Sequence, residues 1–220
     1  LTAIIAVHST VAGPACGGTR MWTYVDDEAA LVDALRLSRG MTYKNVMAGL
    51  PLGGGKSVIL GDPRTDKSEA LFRAFGRKVD ALGGRYIAAE DVGITVDDIA
   101  VAGQETDYVA GRPDISGDPS PVTAHGVFHG LKAAVEDAFG SSDLTGRVVA
   151  IQGLGHVGWA LAAQLADAGA KLVVADVDDD RVRRAVAEWG AEAVATDAVH
   201  AAACDVYAPC ALGGVISPKT

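Results

Sequence analysis

The sequence has few cysteines, a deficit of basic residues and no long uncharged apolar run, and each shortage excludes a class of protein. Its 3 cysteines, Cys16, Cys204 and Cys210, include no C-x-x-C pair. Neither a disulfide framework nor a zinc knuckle is therefore indicated, and we expect a protein of the reducing cytoplasm. The longest apolar stretches fall short of the roughly 18 residues that a membrane helix needs, so no membrane partner is expected.

Acidic residues outnumber basic ones, 28 to 19, which gives a formal charge of −9. Nucleic-acid binding depends on a surplus of Lys and Arg, so no nucleic-acid partner is predicted. The 220 residues are 49% hydrophobic, enough for one large domain or two modest ones. The chain opens at Leu1 in an apolar run without an initiator Met and stops just after a Gly-Gly turn, so we expect both ends to be truncated.

Apolar strands alternate with amphipathic helices in the first half of the chain, which is typical of an α/β architecture. The predicted strands cover 2–8, 57–60 and 86–89, and loops are predicted at Gly13-Pro14 and Gly17-Gly18. A helix capped by Asp26 or Asp27 is expected to turn Leu31, Leu35 and Met41 toward the interior. A second helix, over 68–82, is expected to bury an apolar face made of Leu71, Phe72, Phe75, Val79 and Leu82.

The second half repeats the α/β pattern in a stricter form. The segment 111–121 is rich in Gly, Pro, Asp and Ser and predicts a domain boundary, with domains at 1–121 and 122–220 around a cleft. A helix over about 122–138 is expected to follow. The βαβαβ pattern beyond it predicts strands at 147–152, 171–175 and 205–208 and helices at 156–168 and 180–189.

A dinucleotide site is predicted where the segment GLGHVG, Gly153 to Gly158, follows a strand and opens a helix. Gly153 permits a tight turn, Gly155 lets the backbone approach a pyrophosphate closely, and Gly158 lets the helix pack closely on the strand. His156 and Val157 begin the helix. Asp176 ends the next strand, 23 residues after Gly153, where a carboxylate can bind both ribose hydroxyls. NAD is therefore predicted over NADP, although Arg181 and Arg183 lie near enough in sequence to weaken this preference.

Two lysines, Lys44 and Lys56, stand in unusual surroundings. Three glycines precede Lys56 and an apolar run follows it, which predicts an amine pinned near backbone in a dry environment. Desolvation and a neighbouring cation would lower the pKa of that amine toward the range in which it can act as a base. A nucleotide-triphosphate P-loop is disfavoured, because Leu50 occupies its first glycine position and Ser57 leads into a strand.

With these motifs in place, the sequence resembles the leucine/valine/phenylalanine dehydrogenases. The resemblance rests on GPACGGTR at 13–20, RGMTYKN at 39–45, AGLPLGGGK at 48–56, AEDVG at 89–93 and APCALGG at 208–214. It implies a two-domain α/β enzyme, with a substrate domain before a Rossmann NAD-binding domain, that reversibly deaminates an L-amino acid to its 2-oxo acid and ammonia. It also implies a homo-oligomer.

The resemblance further implies roles for particular residues. Lys44 would bind the substrate carboxylate, Lys56 would be the catalytic base and Asp91 would exchange protons with the substrate nitrogen. A helix-capping role remains an alternative or additional reading of Asp91. The other implied contacts are with the substrate, for Cys16, Gly17, Gly18, Met41 and Ala89, and with the cofactor, for Thr123, Cys210 and Ala211.

The predicted substrate is apolar. Glutamate dehydrogenases resemble this chain but carry a lysine at the position of Cys16, and without that cation a buried γ-carboxylate is poorly compensated. Leucine is expected first, then valine or isoleucine, with phenylalanine or glutamate as alternatives and a non-catalytic NAD-binding module as a further one. His125 and His129 have the i, i+4 spacing of metal ligands, but no third ligand is apparent, so no metal is predicted.

Overall fold

The computed structural model describes residues 1–111 and 119–218. The chain divides into two compact units, Leu1–Asp118 and Pro119–Thr220. This division falls three residues before the boundary predicted after residue 121. Most of the Gly- and Pro-rich segment that prompted the prediction, 112–118, lies outside the described residues.

The first unit is a four-stranded sheet with helices packed against it. Its elements in chain order are β1 (Ala3–Ser9), β2 (Ala15–Trp22), α1 (Asp27–Met47), β3 (Gly53–Leu60), α2 (Glu69–Asp80), β4 (Tyr86–Glu90) and α3 (Val96–Ala102). The strands lie in the order β1-β3-β2-β4; β2 is parallel to β3 and β4, while β1 is antiparallel to β3.

Two glycine segments that read as loops are strands. Gly17 and Gly18, predicted to lie in a loop, are in the middle of β2, and β3 begins at Gly53 rather than at Ser57. The prediction was wrong because strands are recognised by alternating side chains, and glycine has none. The structure explains the glycines by crowding: a methyl group at Gly17 would lie 1.7 Å from the carbonyl oxygen of Gly55 on the neighbouring strand.

Helix α1 begins after its predicted N-cap, Asp26, whose side chain accepts a hydrogen bond from Ala29 N. The expectation that Leu31 and Leu35 face the interior was wrong, since these side chains are 43% and 53% exposed. The helix instead buries small and polar residues, which allow it to approach the glycine-rich sheet closely: Ala30, Ala34, Ser38 and Asn45.

Helix α2 follows its prediction. Ser68 caps it through a hydrogen bond from Leu71 N, and Phe72, Phe75 and Val79 are buried. Leu71 and Leu82 are partly buried and pack against the same core. The spacing of apolar residues was therefore sufficient to place this helix and its buried face.

The second unit is a parallel sheet covered by helices. Its elements are α4 (Ser120–Phe139), β5 (Val148–Gln152), α5 (His156–Asp167), β6 (Lys171–Ala175), α6 (Asp179–Trp189), β7 (Glu192–Ala193) and β8 (Val206–Pro209). The strands lie in the order β7-β6-β5-β8, and this order, in which β5 lies between β6 and β8, is typical of half of a Rossmann fold. The five predicted elements are present, with ends within one or two residues of those expected, but the short strand β7, which pairs with β6, was not predicted.

Apolar residues from both faces of β5 and β6 make the core of this second unit, where Val149, Ile151 and Val174 are fully buried against α5 and its neighbours. Burial on both faces is what parallel sheets require. Within the described part of the chain, no helix combines the length and the apolar character needed to cross a membrane.

Candidate active site

Lys56 and Asp91 form a buried ion pair in the first unit. Lys56 lies in the middle of β3 and Asp91 directly follows β4. The Lys56 Nζ donates a hydrogen bond to Asp91 Oδ2 at 2.5 Å, and the lysine side chain is only 6% exposed. The predicted dry environment of this lysine is therefore present, and its partner is the aspartate of the AEDVG segment.

The two groups change each other's pKa. Burial lowers the pKa of the Lys56 amine, an effect that Asp91 opposes and the nearby Arg20 guanidinium reinforces, and the net pKa is below its ordinary value. Burial raises the pKa of Asp91, but Lys56 and Arg20 outweigh it and hold this pKa below its usual range. Asp91 is thus a carboxylate, while the neutral form of Lys56 is more accessible than that of a solvated lysine.

Gly18 leaves room for this pair. A methyl group at Gly18 would lie 2.7 Å from Asp91 Cβ, 3.2 Å from Lys56 Nζ and 2.6 Å from the carbonyl oxygen of Glu90. Such contacts are too short for real carbon atoms, so a side chain here would displace the ion pair or the strand. Gly18 lies opposite Ala89 in the pairing of β2 with β4, which brings these two residues to the same site.

The other predicted substrate contacts lie at varying distances from the pair. Met41, on α1, is half-buried and its Cγ would be 3.3 Å from a methyl group at Gly17. Cys16 is half-buried in β2, and burial raises the pKa of its thiol. Lys44 is exposed near the end of α1 and has no ion-pair partner within 1–111 and 119–218, so its ammonium is available to an anion.

Arg20 was not predicted as a site residue, although it ends the GPACGGTR segment. Its Nε donates to Asp91 Oδ2 at 3.0 Å, the same oxygen that Lys56 contacts, and its Nη1 donates to Asp33 Oδ2 at 2.9 Å. Tyr24 donates its hydroxyl hydrogen to that Asp33 oxygen at 2.7 Å. The ion pair is therefore one end of a chain of charged and polar groups that runs through β2 to α1.

A second, neutral network lies beneath the same strands. Tyr86 is fully buried, and its hydroxyl donates to the carbonyl oxygen of Gly17 at 2.9 Å. Ser57 Oγ lies 2.8 Å from the Tyr86 hydroxyl and donates to Thr19 Oγ1 at 2.9 Å. Burial raises the pKa of Tyr86, so its hydroxyl stays neutral. The network ties β2, β3 and β4 together directly under the glycine pair.

In the second unit, the predicted glycine turn connects β5 to α5. Gly153 has a φ of 95°, a left-handed conformation that favours glycine, and a methyl group at Gly158 would lie 1.9 Å from the carbonyl oxygen of Gly153. Gly155 is the N-cap of α5, and the one neighbour of a methyl group placed there would be Arg181 Nη1 at 3.9 Å, the end of a flexible side chain. The turn thus leaves room for a pyrophosphate at the start of the helix.

Asp176 lies directly after β6 and braces this turn. Its Oδ2 accepts a hydrogen bond from Leu154 N at 2.5 Å, and its Oδ1 accepts one from Asp178 N at 2.8 Å. The carboxylate also borders a groove of about 550 Å³, lined by Asp176, Val177, Asp179, Val182 and residues 193–196. Its position and charge match those of the acidic residue that binds the ribose in Rossmann folds.

Cys210 and Ala211 lie against the glycine turn. A methyl group at Gly153 would lie 2.8 Å from Ala211 N, and one at Gly158 would lie 3.2 Å from Cys210 Cβ. Burial raises the pKa of the Cys210 thiol. Thr123, in contrast, is exposed in the first turn of α4, and His156 is exposed at the start of α5 beside half-buried Val157.

His125 and His129 face each other on α4, with their Nε2 atoms 3.1 Å apart. No group of three or more His, Cys, Asp or Glu side chains suited to a metal occurs among the described residues. The helix-capping alternative for Asp91 is wrong for α3, because Thr95 is the N-cap of that helix and forms a capping box with Asp98.

Comparison with known proteins shows the family. Residues 1–111 match the model of the Glu/Leu/Phe/Val dehydrogenase dimerisation domain, and the chain therefore belongs to the Glu/Leu/Phe/Val dehydrogenase family. The whole chain is 59% identical to the leucine dehydrogenase of Geobacillus stearothermophilus, of which it covers 61%. It thus spans less than two thirds of the length of that relative.

Solved structures of the family have the same fold. L-tryptophan dehydrogenase from Nostoc punctiforme matches 99% of this chain with a TM-score of 0.72 and 46% identity, and 62% of that protein is covered. The hetero-hexameric glutamate dehydrogenase from Thermus thermophilus, in its Leu-bound form, matches 98% with a TM-score of 0.77 and 25% identity, with 58% covered.

Proposed function

We propose that the protein containing this chain catalyses the reversible, NAD-dependent oxidative deamination of an apolar L-amino acid, leucine first, to its 2-oxo acid and ammonia. The observation that carries the proposal is the buried contact of 2.5 Å between Lys56 Nζ and Asp91 Oδ2 beside Gly18. A protein that only binds a dinucleotide has no use for a desolvated amine and carboxylate in its other unit. The 59% identity to a leucine dehydrogenase supports the same conclusion.

In the proposed reaction, Lys56 is the general base. Once Cα has lost its hydride, the substrate is an iminium, and neutral Lys56 takes a proton from water as the water oxygen bonds to Cα. Asp91 accepts a proton from the substrate ammonium before the hydride leaves and later returns it to the nitrogen of the carbinolamine. The carbon–nitrogen bond then breaks as the hydroxyl oxygen forms a double bond to Cα, ammonia leaves, and the hydroxyl proton passes to the freed Asp91 carboxylate. The lowered pKa of both groups supports these roles, because Lys56 must lose its proton and Asp91 must begin as a carboxylate.

Lys44 is proposed to bind the substrate α-carboxylate. Its ammonium is exposed near the end of α1, so that it can form a charge-assisted hydrogen bond with an incoming anion. Gly17, Gly18 and Met41 are proposed to frame the substrate from the strand and the helix. These residues would hold Cα in one orientation while the reacting bonds change.

The cofactor is proposed to be NAD, bound by the second unit. Gly153, Gly155 and Gly158 would take the pyrophosphate at the start of α5, and Asp176 the ribose hydroxyls. NAD, when bound, accepts the hydride that leaves the substrate. The Asp176 carboxylate would repel a 2′-phosphate. Arg181, whose Nη1 lies 3.9 Å from the position of a methyl group on Gly155, would attract one and so reduce the preference for NAD over NADP.

The proposed preference for an apolar side chain rests on Cys16. This half-buried thiol offers no positive charge for a second carboxylate, whose desolvation would cost several kcal/mol. Ala89, opposite Gly18, adds a small apolar surface at the same place. An aromatic substrate is the second candidate, because the chain is 46% identical to L-tryptophan dehydrogenase and both of these side chains are small.

We also propose a homo-oligomer of the cytoplasm. The family model that matches the first unit describes a dimerisation domain, and α1 exposes the apolar residues Leu31, Leu35 and Met47. Exposed apolar surface of this kind is typical of subunit contacts. All of the cysteines, Cys16, Cys204 and Cys210, are unpaired, in keeping with a reducing compartment.

The proposed function is tested by following NADH formation with the intact protein and Leu, Val, Ile, Phe, Trp or Glu as substrate. We expect the highest kcat/KM for leucine, with valine within about 10- to 200-fold, since one missing methylene group changes specificity by only that much. Isoleucine, an isomer of leucine with a different branch point, should also be a substrate. A highest kcat/KM for glutamate would contradict the argument from Cys16. If the protein binds NAD but reduces it with none of these amino acids, the result would favour the alternative of a non-catalytic NAD-binding module.

A further inference from the structure

The ion pair at the site is part of a larger set of charges that the proposed reaction does not explain. Lys56 and Asp91 alone would form a neutral pair, yet Arg20 adds a second cation to the same Asp91 oxygen at 3.0 Å. The side chain of Arg20 is only 19% exposed, so this cation is held in place at a cost of desolvation. The placement of the Arg20 guanidinium in this largely buried position therefore needs a functional or structural explanation.

The contacts of Arg20 are divided between two carboxylates. Its Nε faces Asp91 and its Nη1 faces Asp33 at 2.9 Å, and the planar guanidinium fixes the angle between the two hydrogen bonds. Asp33 is itself held by the Tyr24 hydroxyl at 2.7 Å. Arg20 therefore links Asp33, on α1, to the Asp91 carboxylate that follows β4.

We propose that Arg20 is the positioning residue of this site, which holds Asp91 Oδ2 against Lys56 Nζ, and that Asp33 anchors Arg20 in turn. This inference rests on the proposed function, in which Lys56 and Asp91 react with the substrate and Arg20 touches neither substrate nor cofactor. Without Arg20, the carboxylate could rotate away from Lys56 and the amine would lose a neighbouring positive charge. The first effect would lower kcat and would also lower the pKa of Lys56, while the second, smaller effect would raise that pKa.

The charges that face Lys56 distinguish a positioning role for Arg20 from a purely electrostatic one. Around the amine lie Asp91 after β4, Arg20 on β2 and Asp33 on α1, and the Tyr24 hydroxyl donates to Asp33. Arg20 lowers the pKa of Lys56, whereas Asp33 and, more strongly, Asp91 raise it. If removal of either anchor loosens Asp91, the pKa of Lys56 should fall in both variants, whereas loss of the Arg20 charge with Asp91 still in place would raise it.

The experiment compares Arg20→Met, Arg20→Lys and Asp33→Asn with the wild-type intact protein by two readouts. The first is kcat and KM for leucine with NAD. The second, which needs no enzymatic activity, is the rate at which a short pulse of acetic anhydride acetylates Lys56 as a function of pH, followed by peptide mass spectrometry. Arg73→Met is the matched control, because Arg73 also bridges two carboxylates of the first unit, Glu69 and Glu105, far in sequence from the ion pair.

We expect Arg20→Met to lower kcat by about 10- to 100-fold with little change in KM, as misplacement of a reacting group does, and to shift the midpoint of acetylation to lower pH because the contact of Lys56 with Asp91 is lost. Arg20→Lys should keep the midpoint near that of the wild type while restoring only part of kcat. Asp33→Asn should lower kcat and shift the midpoint to lower pH. Arg73→Met should change neither quantity.

A wild-type kcat in Arg20→Met, or an acetylation midpoint shifted to higher pH, would overturn the inference, as would equal losses in Arg73→Met. If Arg20→Met does not fold, the inference is tested with Arg20→Lys and Asp33→Asn instead. A wild-type kcat in both of these variants would contradict it. A wild-type protein that reduces no NAD with any amino acid would remove the proposed function. The acetylation midpoints would then still show whether Arg20 and Asp33 control Lys56.

Discussion

The two units of this chain bury different kinds of side chain. Among the described residues, every buried polar or charged side chain lies in the first unit, and the list comprises Thr19, Ser38, Asn45, Lys56, Ser57 and Thr106. In the second unit the buried side chains are apolar, and Asp176 stands at the end of its strand, only partly buried. The first unit thus buries a charged side chain, that of Lys56, within a strand, and the second keeps Asp176 at the end of one.

This difference has a physical cost that points to function. An unpaired polar group in an apolar interior costs on the order of 1–3 kcal/mol, and an unpaired charge costs more. The first unit offsets that cost with hydrogen bonds among Lys56, Asp91 and Arg20 and among Tyr86, Ser57 and Thr19. An apolar core would have been simpler, so we infer that chemistry, rather than stability, accounts for the buried charges.

Lys56→Ala tests the buried charge of the first unit and should have the largest effect. We expect kcat for leucine deamination to fall by about 100- to 10,000-fold, because a general base contributes that much. Lys67→Ala is the matched control, since Lys67 also donates to an aspartate, Asp98, at 2.5 Å but lies at the surface end of the unit with its side chain 26% exposed. The kcat values are measured by NADH absorbance. Equal values in the two variants would show that the buried Lys56 amine does not contribute to catalysis.

Gly18→Ala tests the close packing of the strands around the ion pair of the first unit. A methyl group would press on Asp91 Cβ at 2.7 Å and on the backbone at Glu90, so we expect a lower melting temperature and about 100-fold lower kcat. Gly130→Ala, in helix α4 of the second unit, has open space around the added methyl group. That control should leave kcat unchanged and stabilise the protein by roughly 0.5–1 kcal/mol, as alanine does in helices. A tolerated Gly18→Ala would show that the sheet is less crowded than described.

Lys44→Ala separates binding from chemistry within the first unit. Because the Lys44 ammonium is exposed and is proposed to hold the substrate carboxylate, we expect KM for leucine to rise by about 10- to 100-fold, the value of one charge-assisted hydrogen bond. The value of kcat should change much less than in Lys56→Ala. A large fall in kcat at unchanged KM would instead give Lys44 a part in the chemistry.

Asp176→Asn tests the charge at the edge of the second unit and should have the smallest effect on turnover. The neutral amide can still accept the hydrogen bond from Leu154 N, so the glycine turn should keep its shape. We expect KM for NAD to rise by about tenfold and the preference for NAD over NADP to narrow, because repulsion of the 2′-phosphate is lost. The control Asp167→Asn, at the far end of α5, should change neither KM for NAD nor the preference for NAD over NADP. An unchanged preference in Asp176→Asn would mean that other residues select the cofactor.

The two units also differ in how far the sequence alone predicts them. In the second unit, apolar runs separated by amphipathic helices predicted all five elements of the βαβαβ unit, and the glycine turn and Asp176 fell where expected. In the first unit, glycine-rich β2 was mistaken for a loop. Periodicity is carried by side chains, and close approach between strands, which requires glycine at position 17, is visible only once the strands are paired.

The candidate site was predictable in part for the same reason. Motif residues such as Lys56 and Asp91 stand out individually, and their resemblance to a known family suggested that they act together. The Arg20 bridge to Asp91, across 71 residues, depends on β4 lying beside β2, a strand order that no local pattern specifies. Likewise, the leucines of α1 are exposed because the sheet below the helix admits only small residues such as Ala34.

The most direct test of the central claim is a crystal structure of the intact protein with NAD and leucine's 2-oxo acid bound as an unreactive pair. The account predicts that Lys56 Nζ and the Asp91 carboxylate lie within hydrogen-bond reach, about 2.6–3.2 Å, of the carbonyl carbon's substituents or of one intervening water. The oxo acid's carboxylate should contact Lys44. An oxo acid bound away from Lys56, with the Lys56–Asp91 pair still closed and dry, would contradict the assignment of this amine as the base.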